Sequence, residues 1–364
     1  MAAARVPLPR PFADIKRVAL MYPQATHIEP LNNLTKHIVG EKKGPKLWIK
    51  HEDTNSPLAY GGNKVRKFEY VIADALEIGA THLVTVGGVQ SNSQRQVVAA
   101  GNRYRLKVGY IWEKSGSPYD TAGNVQIGAI LGASWVPSTP ADKERASATD
   151  GIAYEVAAFR EMDRLKAEGH IPYFIPSGAS LHPLGGLGFA RLAFELELQE
   201  ADMGVRWDTI VVACASGSTL GGIAAGFKLI ERERGRVSGN TSSRRLIGIQ
   251  ATSCGLEETE RVVLKSAKNT AKLIGLQEDD VTKDDFELVG RFNGGAYGWL
   301  DDKTREGIKL LAGTEGILTD PVYTGKAITG LITLVREGAF GESENVLFIH
   351  TGGTAAIGAY PSMR

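Results

Sequence analysis

The sequence predicts an α/β fold built as two domains, each with an open, twisted parallel sheet. Short apolar runs alternate with glycine-rich turns and longer segments of helical periodicity, which is the pattern of repeated strand–helix units. The 364 residues are 43% apolar and 23% charged, which is ordinary for a globular protein long enough for two moderate domains. In such folds the turns after the strands meet at a cleft, where we expect a small ligand to bind.

The first series of elements belongs to a small domain that we assign to residues 61–176. Apolar runs bounded by turn residues predict strands at 81–87, 106–112, 134–137 and 172–176. Apolar residues at helical spacing predict helices at 91–104, 122–131 and 151–169.

The second series belongs to a larger domain that we assign to residues 1–60 and 177–364. The same patterns predict strands at 208–214, 245–250 and 346–350. They predict helices at 186–203, 219–232 and 257–274.

Composition excludes several classes of partner and location. The formal charge is +1, from 42 basic and 41 acidic residues, so no overall field attracts nucleic acid or an anionic membrane, and a small molecule is the expected partner. The two cysteines, Cys214 and Cys254, and the scattered histidines lack metal-ligand spacing, which disfavours a metal site and fits a reducing compartment. No apolar run is long enough to span a bilayer, and the first residues do not resemble a secretory signal. Pro7, Pro9 and Pro11 disfavour an amphipathic targeting helix, so we expect a cytoplasmic protein.

The segment GGNKVRK at residues 61–67 combines glycines with an amine. Two glycines before Lys64 allow the backbone to approach a ligand closely while the lysine presents its side chain. Taken alone, however, the segment fits a surface turn with solvated lysines better than a ligand site.

Two further segments lie between a predicted strand and a predicted helix. They are GGVQSNS at residues 87–93 and ASGSTLGG at residues 215–222. Free N–H groups at a helix N-terminus, together with short hydroxyl and amide side chains, suit a carboxylate or a phosphate. A plain helix cap is the alternative for residues 87–93. The pattern G-x-x-x-x-G-K-[ST] is absent from the sequence and no G-x-G-x-x-G follows a strand, which disfavours nucleotides.

Two segments near the C-terminus complete the set. LTDPVYTGK occupies residues 318–326 and IHTGGT occupies residues 349–354. Taken alone, Tyr323 fits a half-buried tyrosine and Thr351 fits a turn residue.

Considered together, these segments resemble one enzyme family. GGNKVRKFEY, GGVQSN, PSGASLHPLGGLGF, SGSTLGG, AYG, GILTDPVYTGK and HTGG are similar, in order and spacing, to motifs of the 1-aminocyclopropane-1-carboxylate (ACC) deaminase and D-cysteine desulfhydrase family. The resemblance extends over most of the chain. It implies a tryptophan synthase β-like fold, pyridoxal 5'-phosphate (PLP) as cofactor bound by the larger domain, a small amino acid as substrate, and a homodimer.

The resemblance also implies roles for individual residues. Lys64 bonds covalently to the cofactor and later removes the substrate α-proton, both through a neutral amine that a dry cleft and nearby cations favour. Lys67 lies beside the cofactor phosphate, and Asn92 contacts the ring hydroxyl. The implied catalytic residues are Lys64, Ser91, Tyr297 and Tyr323. The implied cofactor-binding residues are Lys64, Lys67, Asn92, Ser216, Gly217, Ser218, Thr219, Thr324 and Thr351. The implied substrate-binding residues are Ser91, Asn92, Tyr297 and Tyr323.

Two positions bear on the substrate. The deaminases carry Glu and Leu where this chain has Thr324 and Thr351, which resemble the desulfhydrase branch. A carboxylate beside the pyridine nitrogen favours ring protonation and a stronger electron sink, as opening a cyclopropane requires. A threonine suffices when the group leaving Cβ is a good one. We therefore predict α,β-elimination of D-cysteine, or a close analogue, to pyruvate, ammonia and sulfide. The alternative is an ACC deaminase that yields α-ketobutyrate and ammonia.

Some features leave other functions open. Ser93-Gln94 stands where the deaminases usually have Gln-Thr, and residues 354–357 also depart from the family pattern, so the pocket is expected to differ. A lyase for cysteate shares the same motifs. A non-catalytic amino-acid or PLP-binding module would be expected to lose Lys64 or Ser91, and this chain keeps both. A nucleotide-binding oxidoreductase is disfavoured by the missing fingerprint.

Overall fold

A computed structural model describes residues 6–40, 43–113, 118–149, 152–235 and 244–363. The predicted α/β class is confirmed, and the strands form two sheets. The strands of the described residues are β1 (Ile28–Pro30), β2 (Lys46–His51), β3 (His82–Val86), β4 (Lys107–Ile111), β5 (Ser134–Trp135), β6 (Pro172–Ile175), β7 (Thr209–Cys214), β8 (Arg245–Gln250), β9 (Glu287–Val289) and β10 (Asn345–His350).

The helices alternate with the strands along most of the chain. Those of the described residues are α1 (Asn32–Val39), α2 (Lys64–Glu77), α3 (Asn92–Arg103), α4 (Asn124–Ile130), α5 (Pro140–Ala148), α6 (Ala153–Ala167), α7 (Leu187–Met203), α8 (Ser218–Gly235), α9 (Leu256–Leu273), α10 (Asp302–Glu315) and α11 (Thr324–Arg336). None of these helices is both long and apolar enough to cross a membrane.

The six-stranded sheet has the order β1-β2-β10-β7-β8-β9, and all its pairs are parallel except β1 with β2. Its central strand β7 is buried on both faces, as expected for a parallel sheet covered by helices. Ile210 and Val212 pack on the side of α7, α8 and α9. Val211 and Ala213 pack on the opposite side, against α11. Strand β7 therefore contributes side chains to two apolar layers, one on each face of the sheet.

The four-stranded sheet has the order β5-β4-β3-β6 and is entirely parallel. Leu83 of β3 packs with α2 and α3, while Val84 packs with α6. The strands of this sheet all lie within the predicted small domain, and those of the other sheet all lie outside it. The proposed domain limits at residues 61 and 176 stay a prediction.

The sequence patterns predict some elements of the fold and not others. They predict the strands β3 to β8 and β10, but they do not predict the strands β1, β2 and β9 or the helices α1, α2, α5, α10 and α11. The omission of α2 matters most, because Lys64 is the first residue of that helix. The interpretation of this segment as a solvated surface turn is wrong, since Lys67 is completely buried. Apolar residues at 65, 68, 72 and 75 do carry a helical spacing that could have identified α2.

Candidate active site

Chain segments from both sheets line one cavity of about 700 Å³. The turns after β3 and β7 contribute to it, as expected where the carboxyl ends of parallel strands meet. A smaller pocket adjoins it around the turn after β7 and shares several of its lining residues. The predicted site residues that line the cavity, the pocket or both are Lys64, Ser91, Asn92, Ser216, Gly217, Thr219, Tyr297, Tyr323 and Thr351.

Lys64 is held at the cavity by the turn that precedes α2. Gly61 and Gly62 have φ values of +58° and +112°, which favour glycine. The N–H of Asn63 donates to the carbonyl of Thr351 over 3.0 Å, which ties this turn to the segment after β10. The amine of Lys64 donates to Asn63 Oδ1 over 3.1 Å.

The electrostatic surroundings of Lys64 favour its neutral form. Burial lowers the pKa of this lysine to about 8, against the opposing effect of the Asp320 carboxylate and with the help of the Arg95 charge. A lysine whose pKa is reduced in this way has a much larger neutral fraction near physiological pH than an ordinary lysine has. Lys64 is therefore suited to act as a nucleophile and as a base.

Lys67 lies one helical turn after Lys64 and is completely buried. Its amine donates to Ser218 Oγ over 2.7 Å and to the carbonyl of Gly178 over 3.1 Å, and no carboxylate is among its described partners. Burial and the Lys64 amine lower the pKa of Lys67 well below its usual value. A buried ammonium without a counter-charge is costly, so this position favours the binding of an anion.

The turn after β7 faces Lys67, and the chain segments around it pack so closely that they require glycine. Gly217 has a φ of +78°, and a Cβ atom there would lie 3.1 Å from the backbone N of Val263. A Cβ atom at Gly178 would collide with Ser216 Oγ and lie 3.5 Å from Lys64 Cε. The turn leads directly into α8, which begins at Ser218. The N–H groups at the start of a helix and the Lys67 ammonium together form an anion cradle.

The side-chain amide of Asn92 has a defined orientation. Its Oδ1 accepts hydrogen bonds from Asn124 Nδ2 over 2.9 Å and from Arg95 Nη2 over 3.3 Å. Because both partners are donors, they assign the oxygen to that side and leave Nδ2 as a donor. Asn92 lines both the cavity and the smaller pocket, where its amide can serve an oxygen atom of a ligand.

The N-terminus of α3 places three consecutive polar side chains, Ser91 to Ser93, on the cavity wall. Ser91 occupies the N-cap position, but its side chain makes no capping hydrogen bond, so the interpretation as a plain cap is wrong. Ser93 is 1% exposed, and its hydroxyl has no hydrogen-bond partner among the described residues. Hydroxyls and N–H groups at a helix N-terminus suit a substrate carboxylate.

Tyr297 and Tyr323 form a pair at the cavity. Their hydroxyl oxygens lie 2.7 Å apart, and their rings meet at an angle of 67°. Burial raises the pKa of both phenols, and the neighbouring phenol raises that of Tyr297 further. Both hydroxyls therefore stay protonated at neutral pH and can donate a hydrogen bond.

The two threonines that bear on the substrate lie in different places. Thr351 lines the smaller pocket together with Lys64. Thr324 is buried behind it, where its hydroxyl donates to Asp320 Oδ1 over 2.5 Å and to the Gly352 carbonyl over 3.2 Å. Asp320 also accepts from the N–H groups of residues 322–324, so its carboxylate is saturated. Within the described part of the chain, no aspartate or glutamate lines this smaller pocket.

Three predicted residues lie next to the cavity and the pocket without lining them. They are Lys67, Ser218 and Thr324. The structure also brings in residues that the sequence-based site lacked, namely Asn63, Ser93, Arg95, Gly178 and Asp320. All five lie inside or beside the quoted motifs, and that proximity was the available signal. Their contacts involve residues far apart in sequence, such as Asn63 with Thr219, which no local pattern reports.

Comparisons with known proteins agree on one family. The family of pyridoxal-phosphate dependent enzymes matches residues 20–352. The chain is 40% identical over 339 residues to the 1-aminocyclopropane-1-carboxylate deaminase of Ralstonia nicotianae, covering 92% of this chain and 94% of that protein. It is 41% identical over 343 residues to the probable 1-aminocyclopropane-1-carboxylate deaminase of Cryptococcus neoformans, covering 92% of each chain.

Solved structures show the same fold. A crystal structure of an ACC deaminase homologue is similar with a TM-score of 0.80 and 32% identity, covering 96% of each chain. The structure of a pyridoxal 5'-phosphate-dependent aspartate racemase is similar with a TM-score of 0.59 and 17% identity over 90% of each chain, which supports the fold alone.

Proposed function

The chain belongs to the pyridoxal-phosphate dependent enzymes and, among them, to the lyases of the ACC deaminase family, and from this premise we propose that it eliminates sulfide and ammonia from D-cysteine. The balanced reaction converts D-cysteine and water to pyruvate, ammonia and hydrogen sulfide. The observation that carries the proposal is the smaller pocket, where Thr351 is present and where no described carboxylate occurs. Location in the cytoplasm and assembly as a homodimer stay predictions.

The residues of the site fit PLP on physical grounds. The buried Lys67 amine, which has no described counter-charge and which a bound anion would keep protonated, forms with the start of α8 and the glycine turn a cradle suited to a phosphate. Burial lowers the pKa of Lys64 to about 8, so its amine is partly neutral and suited to react with an aldehyde. When bound, the cofactor supplies an electron sink that stabilises negative charge at the substrate Cα.

The other steps of the proposed reaction are assigned to this chain's own residues. The Lys64 amine removes the Cα proton as a general base. Ser91, Ser93 and the N-terminus of α3 hold the substrate carboxylate. Tyr297 and Tyr323 lie at the leaving group, where a protonated phenol donates a hydrogen bond to the departing sulfur. The pKa of each phenol is raised by burial, which supports this donor role.

A second candidate is the deamination of ACC, with water, to α-ketobutyrate and ammonia. The curated relatives at about 40% identity are named ACC deaminases, and none of those reported above is named a D-cysteine desulfhydrase. On the comparisons alone this second candidate is the better supported of the two. The proposal of D-cysteine as the substrate rests on the two threonines and on the pocket around Thr351.

A substrate comparison with one matched pair of variants separates the two candidates. We expect kcat/KM for keto-acid release to be higher with D-cysteine than with ACC, L-cysteine or cysteate. Thr324→Glu should raise the ratio of ACC to D-cysteine turnover at least tenfold, because it introduces the carboxylate that the deaminases carry at this position and that the resemblance implies beside the ring nitrogen, whereas Thr324→Gln, with similar shape and no charge, should not. Faster turnover of ACC by the unmodified enzyme would reject the D-cysteine proposal in favour of the second candidate.

The pH dependence of cofactor uptake tests the state of Lys64. The neutral amine reacts, and a lowered pKa makes that form available at lower pH, so the rate at which apo-protein takes up PLP should rise with a midpoint near pH 8. Nα-acetyl-lysine, whose side-chain amine has a pKa of about 10.4, is measured in the same series and corrects for the titration of PLP itself. Stopped-flow absorbance measures both rates. Coincident midpoints for protein and free lysine would show that burial does not activate this amine.

A further inference from the structure

We propose that part of the cavity is a chamber for a substituent on the substrate sulfur, and that it accepts uncharged or cationic substituents and rejects anionic ones. The inference rests on the proposed function, and it names the substrate class as S-substituted D-cysteines in addition to D-cysteine itself. We define the outer chamber by Tyr154, Glu155, Leu181, Thr252 and Val262, which line the same cavity as Lys64.

The first argument is space beyond the reacting residues. A cavity of about 700 Å³ lies within the range of about 300–1,000 Å³ in which proteins bury drug-sized ligands. The outer chamber is formed by α6, α9 and the segments after β6 and β8, none of which carries a residue assigned above to catalysis. Leu181 is 36% exposed and Val262 is half-buried, so apolar surface is available for a short carbon chain.

The second argument is charge. Among the described lining residues Lys64 is the only cation, whereas Glu155 and Glu258 are both acidic. Glu258 is neutralised by Arg261, which donates to its two oxygens over 2.6 and 2.7 Å. Glu155 is half-buried and has no ion pair among the described residues. Burial raises the pKa of Glu155, and its ionised carboxylate, which has no described counter-charge, repels a sulfonate or carboxylate on the substrate.

The third argument is an unused hydrogen-bonding group. The hydroxyl oxygen of Thr252 is buried and has no partner among the described residues. Buried polar atoms normally have a partner, so an unpaired one at a cavity wall suits a polar group of a ligand. Thr252 and Glu155 line the same cavity, so a substituent that ends in an amine has both a hydrogen-bonding group and a carboxylate available there.

Three thioethers of similar length test the proposal. They are S-(2-aminoethyl)-, S-propyl- and S-carboxymethyl-D-cysteine, whose substituents are cationic, neutral and anionic. Each is measured as an inhibitor of sulfide release from D-cysteine or of α-ketobutyrate release from ACC, whichever the holoenzyme converts, because elimination from the thioethers themselves gives pyruvate and neither of these products. We expect the aminoethyl and propyl compounds to have inhibition constants at least tenfold lower than the carboxymethyl compound.

Variants assign the effects to the chamber. Glu155→Gln should reduce the preference for aminoethyl over carboxymethyl at least fivefold, while Glu258→Gln, at an exposed position where solvent screens the charge, should change it less. The propyl compound carries no charge and corrects for general changes in the site. Leu181→Trp should raise the inhibition constant of the propyl compound at least tenfold.

Equal inhibition by the three thioethers, or failure of all three to inhibit, would contradict the proposed role of the outer chamber. So would a Leu181→Trp variant that binds the propyl compound as well as the unmodified enzyme does. If neither D-cysteine nor ACC is converted, the proposed function fails. The dissociation constants of the three thioethers, measured from the absorbance of the bound cofactor, then test the proposed chamber independently.

Discussion

Replacement of Lys64 by alanine is expected to abolish turnover and to remove the absorbance of covalently attached PLP. The loss of a general base alone lowers rates by about 10²–10⁴-fold, and loss of the covalent attachment adds to this, so we expect kcat/KM to fall by at least about 10³-fold. Keto-acid release and the absorption spectrum of the purified protein measure the two effects. The physical reason is the partly neutral amine, whose pKa burial lowers to about 8.

Lys326 offers a matched control for this variant. It is also a buried lysine whose pKa burial lowers to about 8, but it lines neither the cavity nor the smaller pocket. Its amine donates to the carbonyls of Ala251, Asn293 and Ala296. Lys326→Met should therefore lower the melting temperature and keep the absorbance of attached PLP. A Lys64→Ala protein that is folded by circular dichroism and still carries attached PLP would contradict the assignment.

Replacement of Lys67 by methionine is expected to weaken PLP binding without destabilising the folded apo-protein. A hydrogen bond to a charged group contributes about 1.5–3 kcal/mol, which corresponds to about a 10- to 150-fold increase in the dissociation constant. In the apo-protein the variant removes a buried amine that has no carboxylate partner among the described residues. The carbonyl of Gly178 keeps the hydroxyl of Ser218 as a donor over 3.3 Å. We expect the melting temperature of the apo-protein to stay constant or rise, and that of the holoenzyme to fall.

Lys50 is the control because it is buried to the same degree and is paired. It donates to Glu195 Oε1 over 2.8 Å and to Gln199 Oε1 over 2.6 Å. Breaking a buried ion pair on one side is destabilising, so Lys50→Met should cost about 3 kcal/mol in the free energy of unfolding of the apo-protein. Denaturant unfolding of both apo-variants checks the contrast. If Lys67→Met destabilises the apo-protein as much as Lys50→Met does, Lys67 is a structural residue and not a phosphate ligand.

The element order was predictable wherever the local signal was simple. The strands β3, β7, β8 and β10 are short apolar runs with turns at both ends, and the structure places them as predicted. The edge strand β9 has three residues, Glu287 to Val289, too few for a pattern to emerge. The sequence analysis does not predict helix α2, because its charged residues fit a solvated surface turn, although Arg66 and Glu69 are buried in ion pairs.

The candidate site was predictable as a set of segments and less so as a set of contacts. The turns after β3, β7 and β10 carry the motif residues, and parallel strands bring such turns together. The structure separates Thr351, which lines the smaller pocket, from Thr324, which binds Asp320 behind it. It also adds Ser93, whose burial without a partner depends on the surrounding chain.

The sequence by itself determined the α/β class, the repeated strand–helix units and the motif residues at the strand ends, because periodicity and turn chemistry act over a few neighbouring residues. Only the tertiary structure decided which charges are compensated. Lys67 meets Ser218 from 151 positions away, and Lys50 meets Glu195 from 145 positions away. Both lysines are buried and alike in sequence terms, yet one has a carboxylate partner and the other does not. Burial and pairing depend on long-range contacts, which exist only once the two sheets and their helices have packed.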